Sequence, residues 1–422
     1  MVFFLAAMTL FAGGGQQKAA PADPNTLTVW CWDVNFNLYA MHEAAKVYQK
    51  THPNFKLNVV EVAWDDLQTR LITAFSANQV GDLPDMVLMQ DNAMQKNIQT
   101  YPSRFLPVNG KVDISQFAKY KLDFATVGGK TYAVPFDNGA SGFFLREDII
   151  QQAGLKISDF DGVTWDKVFE LGKQVKQRTG MSLLSTDPTS PDLPLMMLFS
   201  TGNSMFDAQG KPSLSNNAVM KRALELFAEG IRDGIIMQVS DWNAYIATIQ
   251  TGTVAGTING AWIIGSITSG QASSGKWKLV RTPSMSNVAT AKNYSTNGGS
   301  GWMILANSRN PELAYDFLGK TFAGSVDLYN TILPSSGAIG TWGPATSAPA
   351  YSQAHPFFGG QKVFVDLVTY ANNVPSFATG PFYYEARDAF ARNLNDIVQG
   401  RISVQAALDA AQKEVDFILS SQ

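Results

Sequence analysis

Between Thr26 and Gln90 the chain alternates strand-like and helix-like periods, and that order admits few folds. "TLTVWCW" (26–32) is β-branched and aromatic and predicts a strand. In the following "NLYAMHEAAKVYQKTHP", Leu38, Met41, Ala45 and Tyr48 fall on one helical face, and Pro53 stops the helix. "FKLNVVEV" alternates as a second strand. "DDLQTRLITAFSAN" holds Leu67, Leu71 and Phe75 in helical register, and "PDMVLMQ" reads as a short buried strand. A β-α-β-α-β run predicts a parallel sheet with helices on both faces. Sites on such sheets lie at the carboxyl ends of the strands. That rim carries Trp32 and Asp33 after the first strand, Gln90 and Asp91 after the third, and the loop after "AVPF"; Trp64 and Asp65 follow the second strand as further candidates, with Asp65 expected to cap a helix.

The pattern then changes. Gly and Pro punctuate two strand-like pieces, "TYAVPF" and "SGFFL". "TWDKVFELGKQVKQRTG" is an amphipathic helix with Thr164 as N-cap, and "NNAVMKRALELFAEGIRDG" is another, ended by Gly234. "AYIATIQTGTVAGTINGAW" reads as helix, glycine turn and strand; "GSGWMILA" is a strand after a Gly cluster. The terminal helix carries Val404, Ala407, Leu408, Ala411, Val415 and Ile418 on one stripe. Two strand-rich returns in 422 residues predict two α/β lobes joined by more than one crossing.

Several chemistries are disfavoured. A net charge of −3 lacks the basic surplus of a nucleic-acid binder. The lone Cys31 excludes an intramolecular disulfide and sits in a strand as a buried thiol. His42, His52 and His355 have no zinc spacing, so no metal and no cofactor is expected. Both Gly-Lys-Thr triplets fail the phosphate-loop pattern, with Phe124 and Ala314 where glycine is required. "GASGF" fails the nucleophile elbow at Phe143. Asp33, Asp65, Asp91 and Asp137 could face one cleft, so carboxylates alone leave a glycosidase open, but no acid/base pair stands out. Aromatics make up 11% of the chain, including nine Trp. Trp and Tyr faces with Asp and Asn hydrogen-bonding groups suit sugars, which offer C–H faces and hydroxyls. At "AGTINGAWIIG" the open question is whether Trp262 is core or displayed for stacking.

At "GTVAGTINGAW" the chain resembles the extracellular solute-binding proteins of ATP-driven carbohydrate importers, the maltose-binding-protein group. Gly252, Val254, Ala255, Ile258, Gly260 and Trp262 match an element that displays its Trp to sugar, with Gly256 at the usual Met. "FKLNVVEVAWDDLQTRLITAFSANQVGDLPDMVLMQD", "GGKTYAVPFDNGASGFFLREDIIQQAGL", "TWDKVFELGKQV", "GSGWMILANSRNPELAYDFL" and "IVQGRISVQAALDAAQKEVD" match further blocks in order.

The resemblance implies an α/β, two-lobe periplasmic-binding fold of type II, with ligand between the lobes and hinge closure. Lobe one would be 26–136 plus 297–335, and lobe two 141–293 plus 342–422. Hinges would lie near 137–140, 294–296 and 336–341. Trp32, Asp33 and Asn35 fall where the family's first strand–helix loop meets ligand. Asp91 matches a hydroxyl-binding Asp, with Gln90 beside it; Trp262 and Tyr383 match stacking aromatics. Asp137 and Asn138 lie at the first crossover, Asn297 and Trp302 in "STNGGSGW", and Trp342 beside a further crossing. The Pro-aromatic stacking segment of the maltose protein has no counterpart near "TSPDLPLMM", which argues against maltodextrin.

The function implied is capture of an oligosaccharide, without catalysis, by a monomer that serves membrane permease subunits driven by a cytoplasmic ATPase. Another solute, such as a polyol or glycerophosphodiester, and a secreted glycan hydrolase are the rivals. A phosphate ligand would want an Arg cluster, and Arg146 alone is near the cleft in sequence. "VFFLAAMTLFA" reads as a signal peptide cleaved after Ala12, within a 1–25 leader and spacer, which predicts a periplasmic protein. Gly13 and Gly14 stand where a lipoprotein needs Cys; a cell-surface lipoprotein stays as the alternative if an anchor Cys lies outside this sequence.

Overall fold

The structure is a computed structural model that describes residues 23–421; the expected signal segment lies outside these residues. The main sheet runs, edge to centre, through Lys56–Glu61, Thr26–Cys31 and Met86–Gln90, all parallel. Thr296–Leu305 then pairs antiparallel with Met86–Gln90, and Ala133–Arg146 antiparallel with Thr296–Leu305. Helices Tyr39–Gln49, Trp64–Ser76 and Asp91–Thr100 connect or follow the parallel strands, as the period-counting predicts.

The two pieces "TYAVPF" and "SGFFL" do not form separate strands. They join in one 14-residue strand, Ala133–Arg146, every residue of which is buried. Its first half pairs with Thr296–Leu305. Its second half is flanked by Gly256–Gly260 on one edge and Trp277–Val280 on the other. One strand therefore belongs to both halves of the molecule. Pro135 is tolerated inside it because the register slips there: Asp137 faces Ser300 but Pro135 faces Gly301.

Three chain segments cross side by side at this point. Asp137 bridges Gly340, Asn138 N–H donates to Ile339 O at 3.1 Å, and Thr296 pairs with Ala140. Gly298 (φ 84°) and Gly299 (φ 109°) hold the left-handed backbone of the crossing strand. A Cβ on Gly299 would lie 2.4 Å from Asp91 Oδ2, so no larger residue fits.

Apolar clusters cover both faces of the first sheet half, and a separate one fills the second half around Trp165, Phe227 and Leu408. Cys31 is buried, and burial pushes its thiol up. Thr164 caps its helix by accepting from Lys167 N–H at 3.4 Å. The C-terminal helix Val404–Ser420 buries Val404, Ala407, Leu408, Ala411 and Val415, leaving Ile418 at the margin. The stretch after the third crossing folds back on the first half: Trp342 stacks on Tyr329 at 6.1 Å and bridges Phe117, and Ala350 N–H donates to Asn330 Oδ1 at 2.9 Å. Among the described residues no helix is long and apolar enough to cross a membrane.

Candidate functional site

The parallel strands end at a line of aromatic rings. Trp32 and Trp64 stand after consecutive strands and meet edge to face at 5.1 Å. Trp64 continues to Tyr384 at 5.9 Å, on the helix Tyr383–Ala391 of the opposite half. Tyr384 Oη donates to Gln90 Oε1, and Tyr383 packs on Tyr384 at 5.2 Å. The Arg387 guanidinium lies 4.5 Å from the Tyr384 ring centroid. Lys96 and Glu385 form a further ion pair between the two halves.

A second aromatic group stands across the crossing strands. Trp262 lies in a single helical turn directly after the buried strand Gly256–Gly260. Its Nε1–H donates to Asn297 O at 2.9 Å. Gly260 and Gly298 leave room for the indole, since a Cβ on either would approach its Nε1 to 2.3 and 3.3 Å. The ring is half-buried and sits 5.7 Å from Trp242. Trp262 is therefore neither a fully buried core residue nor a free one. It is fixed on one side and open on the other.

Polar groups join the two aromatic groups. Asn297 Nδ2–H donates to Asp192 Oδ2 at 3.1 Å and to Asn259 Oδ1 at 2.9 Å. Burial pushes the Asp192 carboxyl up, against the Asn297 hydrogen bond and the nearby Arg387 guanidinium. Aromatic faces, amides and a carboxylate thus converge between the halves, an arrangement matched to a neutral, hydroxyl-rich ring.

Other residues picked from the sequence take different places. Trp302 is fully buried, between Phe136 and Phe322 at 5.4 Å each, and Trp342 is packed on Tyr329. Both are core tryptophans, because the strand alternation and the fold-back of 342–351 turn them inward. Asn35 lies away from the aromatic line; it borders a separate groove of about 480 Å³ with Gly265 and Pro334. Asp33 accepts from Asn35 N–H at 2.9 Å and caps a single wide turn, Val34–Leu38. Burial raises its carboxyl, opposed by those backbone bonds. Asp65 is exposed in the first helical turn and caps nothing, since Ala63 occupies the N-cap.

Asp91 is not open to a ligand. It is buried and held by Lys121, whose Nζ lies 2.6 Å from Oδ1 and 2.5 Å from Oδ2. Asp137 is buried beside them and accepts from Ser300 Oγ at 2.5 Å. Asn138 Oδ1 accepts from Ala140 N–H at 3.0 Å, tying its own strand. These three form a polar floor inside the crossing rather than part of the lining. Arg146 pairs with Asp148 away from the cleft, and the guanidinium at the cleft is that of Arg387.

Sequence reasoning missed Trp242, Tyr384, Asp192, Arg387 and Lys121. Tyr384 was one step away in "GPFYYEAR", where the helical phase of the residue beside Tyr383 decides which ring crosses over. Lys121 carried no signal, because "KYKLDF" reads as a solvated helix face.

A two-lobe α/β chain with an aromatic and amide cleft between its halves is a binding protein of the periplasmic type. Residues 43–356 match the bacterial extracellular solute-binding proteins, and the chain belongs to that family. It is 36% identical over 374 residues to a lactose-binding protein of Rhizobium radiobacter, covering 89% of this chain and 88% of the relative. It is 23% identical over 377 residues to an arabinooligosaccharide-binding protein of Halalkalibacterium halodurans, covering 86% and 82%. Its fold matches an ABC-transporter-associated binding protein of B. animalis subsp. lactis Bl-04 in complex with β-1,6-galactobiose. That match has a TM-score of 0.79, 22% identity, and 92% and 96% of the two chains covered.

Proposed function

We propose that this chain captures an oligosaccharide in the interlobe cleft and delivers it to a membrane permease driven by a cytoplasmic ATPase. The observation that carries this reading is the pair of aromatic groups, Trp32–Trp64–Tyr384 and Trp262–Trp242, joined by Asp192, Asn259 and Asn297. The lactose- and arabinooligosaccharide-binding relatives support it. Trp32, Trp64, Gln90, Trp262, Asn297 and Tyr383 are the residues picked from the sequence that enter the reading as contacts. Asp33 and Asp65 stand at its rim. The lobes are taken as 26–136 plus 297–335 and 141–293 plus 342–422, with 342–351 docked on the first. The protein acts outside the cytoplasm as a monomer, without catalysis. Closure brings Tyr384 onto Gln90, and the permease reads the closed form.

Calorimetry with lactose, β-1,6-galactobiose, arabinotriose and mannitol tests the reading. One of the sugars is expected to bind with no product formed on incubation. Binding of mannitol alone, or release of monosaccharide, overturns it. Trp262→Ala is expected to weaken binding of that sugar by ten- to a hundredfold, the loss of one aromatic stacking face and its shape. Its melting point is expected to stay within a few degrees of wild type, since the indole is only half-buried. Unchanged affinity per folded molecule would return Trp262 to the core.

A further inference from the structure

Beside Trp262, on the second lobe, lies a hollow of about 190 Å³ that the aromatic line does not use. A space of that size holds several waters, which a single ring would displace. We infer that it is a subsite for one further sugar unit, so that the protein selects ligands longer than a disaccharide. This rests on the carbohydrate reading above and adds the chain length of its ligand.

The wall of the hollow is Trp242, at 43% exposure the one tryptophan among the described residues that stands exposed. It opens the helix Trp242–Thr251, where Asp241 caps by accepting from Ala244 N–H at 2.9 Å. Its ring rests on Tyr245 at 5.2 Å. Tyr245 is held in turn by Thr257 Oγ1 at 2.5 Å and by Asn259 Nδ2–H at 3.1 Å. The platform is therefore rigid although its face is open. Opposite it, Asp192 spends Oδ2 on Asn297, and Oδ1 has no partner among the described residues. Asp187 uses Oδ1 for Thr189 N–H and Oγ1–H, at 2.8 and 2.7 Å, and leaves Oδ2 free. An aromatic face opposed by two carboxylate acceptors fits a ring with a C–H face and outward hydroxyl donors. It repels an anionic unit such as a uronate or phosphate. Because Trp242 and Trp262 are neighbours, a chain seated on Trp262 continues onto Trp242.

Calorimetry with a di-, tri- and tetrasaccharide series of β-galacto-oligosaccharides, and of arabino-oligosaccharides, tests this. In the wild-type protein the trisaccharide is expected to bind about tenfold more tightly than the disaccharide. The tetrasaccharide is expected to add less than twofold. Trp242→Ala is expected to abolish the gain from the third unit, so that its di- and trisaccharide affinities become equal, and Trp242→Tyr to restore most of it. Equal affinities for di- and trisaccharide in wild type overturn the subsite and leave the carbohydrate reading intact. So does an equal loss for both ligands in Trp242→Ala. Failure of every sugar to bind overturns both.

Discussion

Replacing Lys121 with methionine is expected to destabilise the protein by about 3–5 kcal/mol, the cost of stripping one partner from a buried ion pair. Lys121 is 1% exposed, on the helix Lys119–Ala125. Its ammonium has three N–H bonds to give. Two go to the Asp91 carboxylate, and the third to Ser300 O at 3.2 Å. No water-exposed route replaces them. Methionine fills the space and removes the charge, leaving Asp91 buried beside Asp137 with no cation. One carboxyl must then take up a proton or the crossing must open. The loss should read as a drop on the order of 10 °C in thermal melting at neutral pH for a lobe of this size. Pairing the change with Asp91→Leu should recover most of it, because an apolar pair of similar volume replaces a buried salt bridge at little cost. A single variant within about 1 kcal/mol of wild type, or a double variant no better than the single, would sink the account of Lys121 as the cluster's only counter-charge.

The same cluster marks where the sequence ceased to be legible. The parallel sheet half was readable because each strand and helix carries its own period: Leu67, Leu71 and Phe75 are buried as spaced, and Met86 to Met89 form a fully buried strand. Local chemistry named the N-cap Thr164 for the same reason. Trp262 was legible only in combination, through a glycine strand and the family pattern. What failed depends on contacts across tens or hundreds of residues. Asp91 looked like an open rim residue until a lysine thirty positions later took both its oxygens. Trp302 looked like a cleft aromatic, yet strand parity sends it under the sheet. Trp242 follows an ordinary Ser-Asp helix start, and nothing in "SDWNAY" tells whether its ring is covered. The strand break expected at "DNGAS" does not occur, because crossing segments pair with the strand on both sides there and the ladder shifts register around Pro135 and Asp137.

A second consequence of Lys121 spending all three donors falls on Asp137, and Asp137→Asn is expected to make the protein more stable above neutral pH. Asp137 receives no bond from the ammonium; Ser300 is its donor. Burial, only partly opposed by the Lys121 charge and the Ser300 bonds, lifts its carboxyl to about 7. In the unfolded chain it titrates near the ordinary value of 3.8. Between those values the folded protein holds a proton that the unfolded chain has lost, so stability falls as pH rises through that window. The favourable contribution is complete below about pH 4 and gone above about pH 7. At about 1.36 kcal/mol per pH unit, the full swing is on the order of 4 kcal/mol. Asparagine keeps the shape and the acceptor for Ser300 but cannot ionise. Melting curves of wild type and Asp137→Asn, taken in parallel from acid to alkaline pH, isolate this group, since every other titration is common to both. The difference should be near zero below about pH 4, grow in favour of the variant between about pH 4 and 7, and level off above about pH 7. Because Asp137 and Ser300 sit on the two strands that cross between the halves, the same proton biases how firmly those strands hold together. Parallel curves with a constant offset would mean that Asp137 ionises at the ordinary carboxylate pH and that water reaches the crossing.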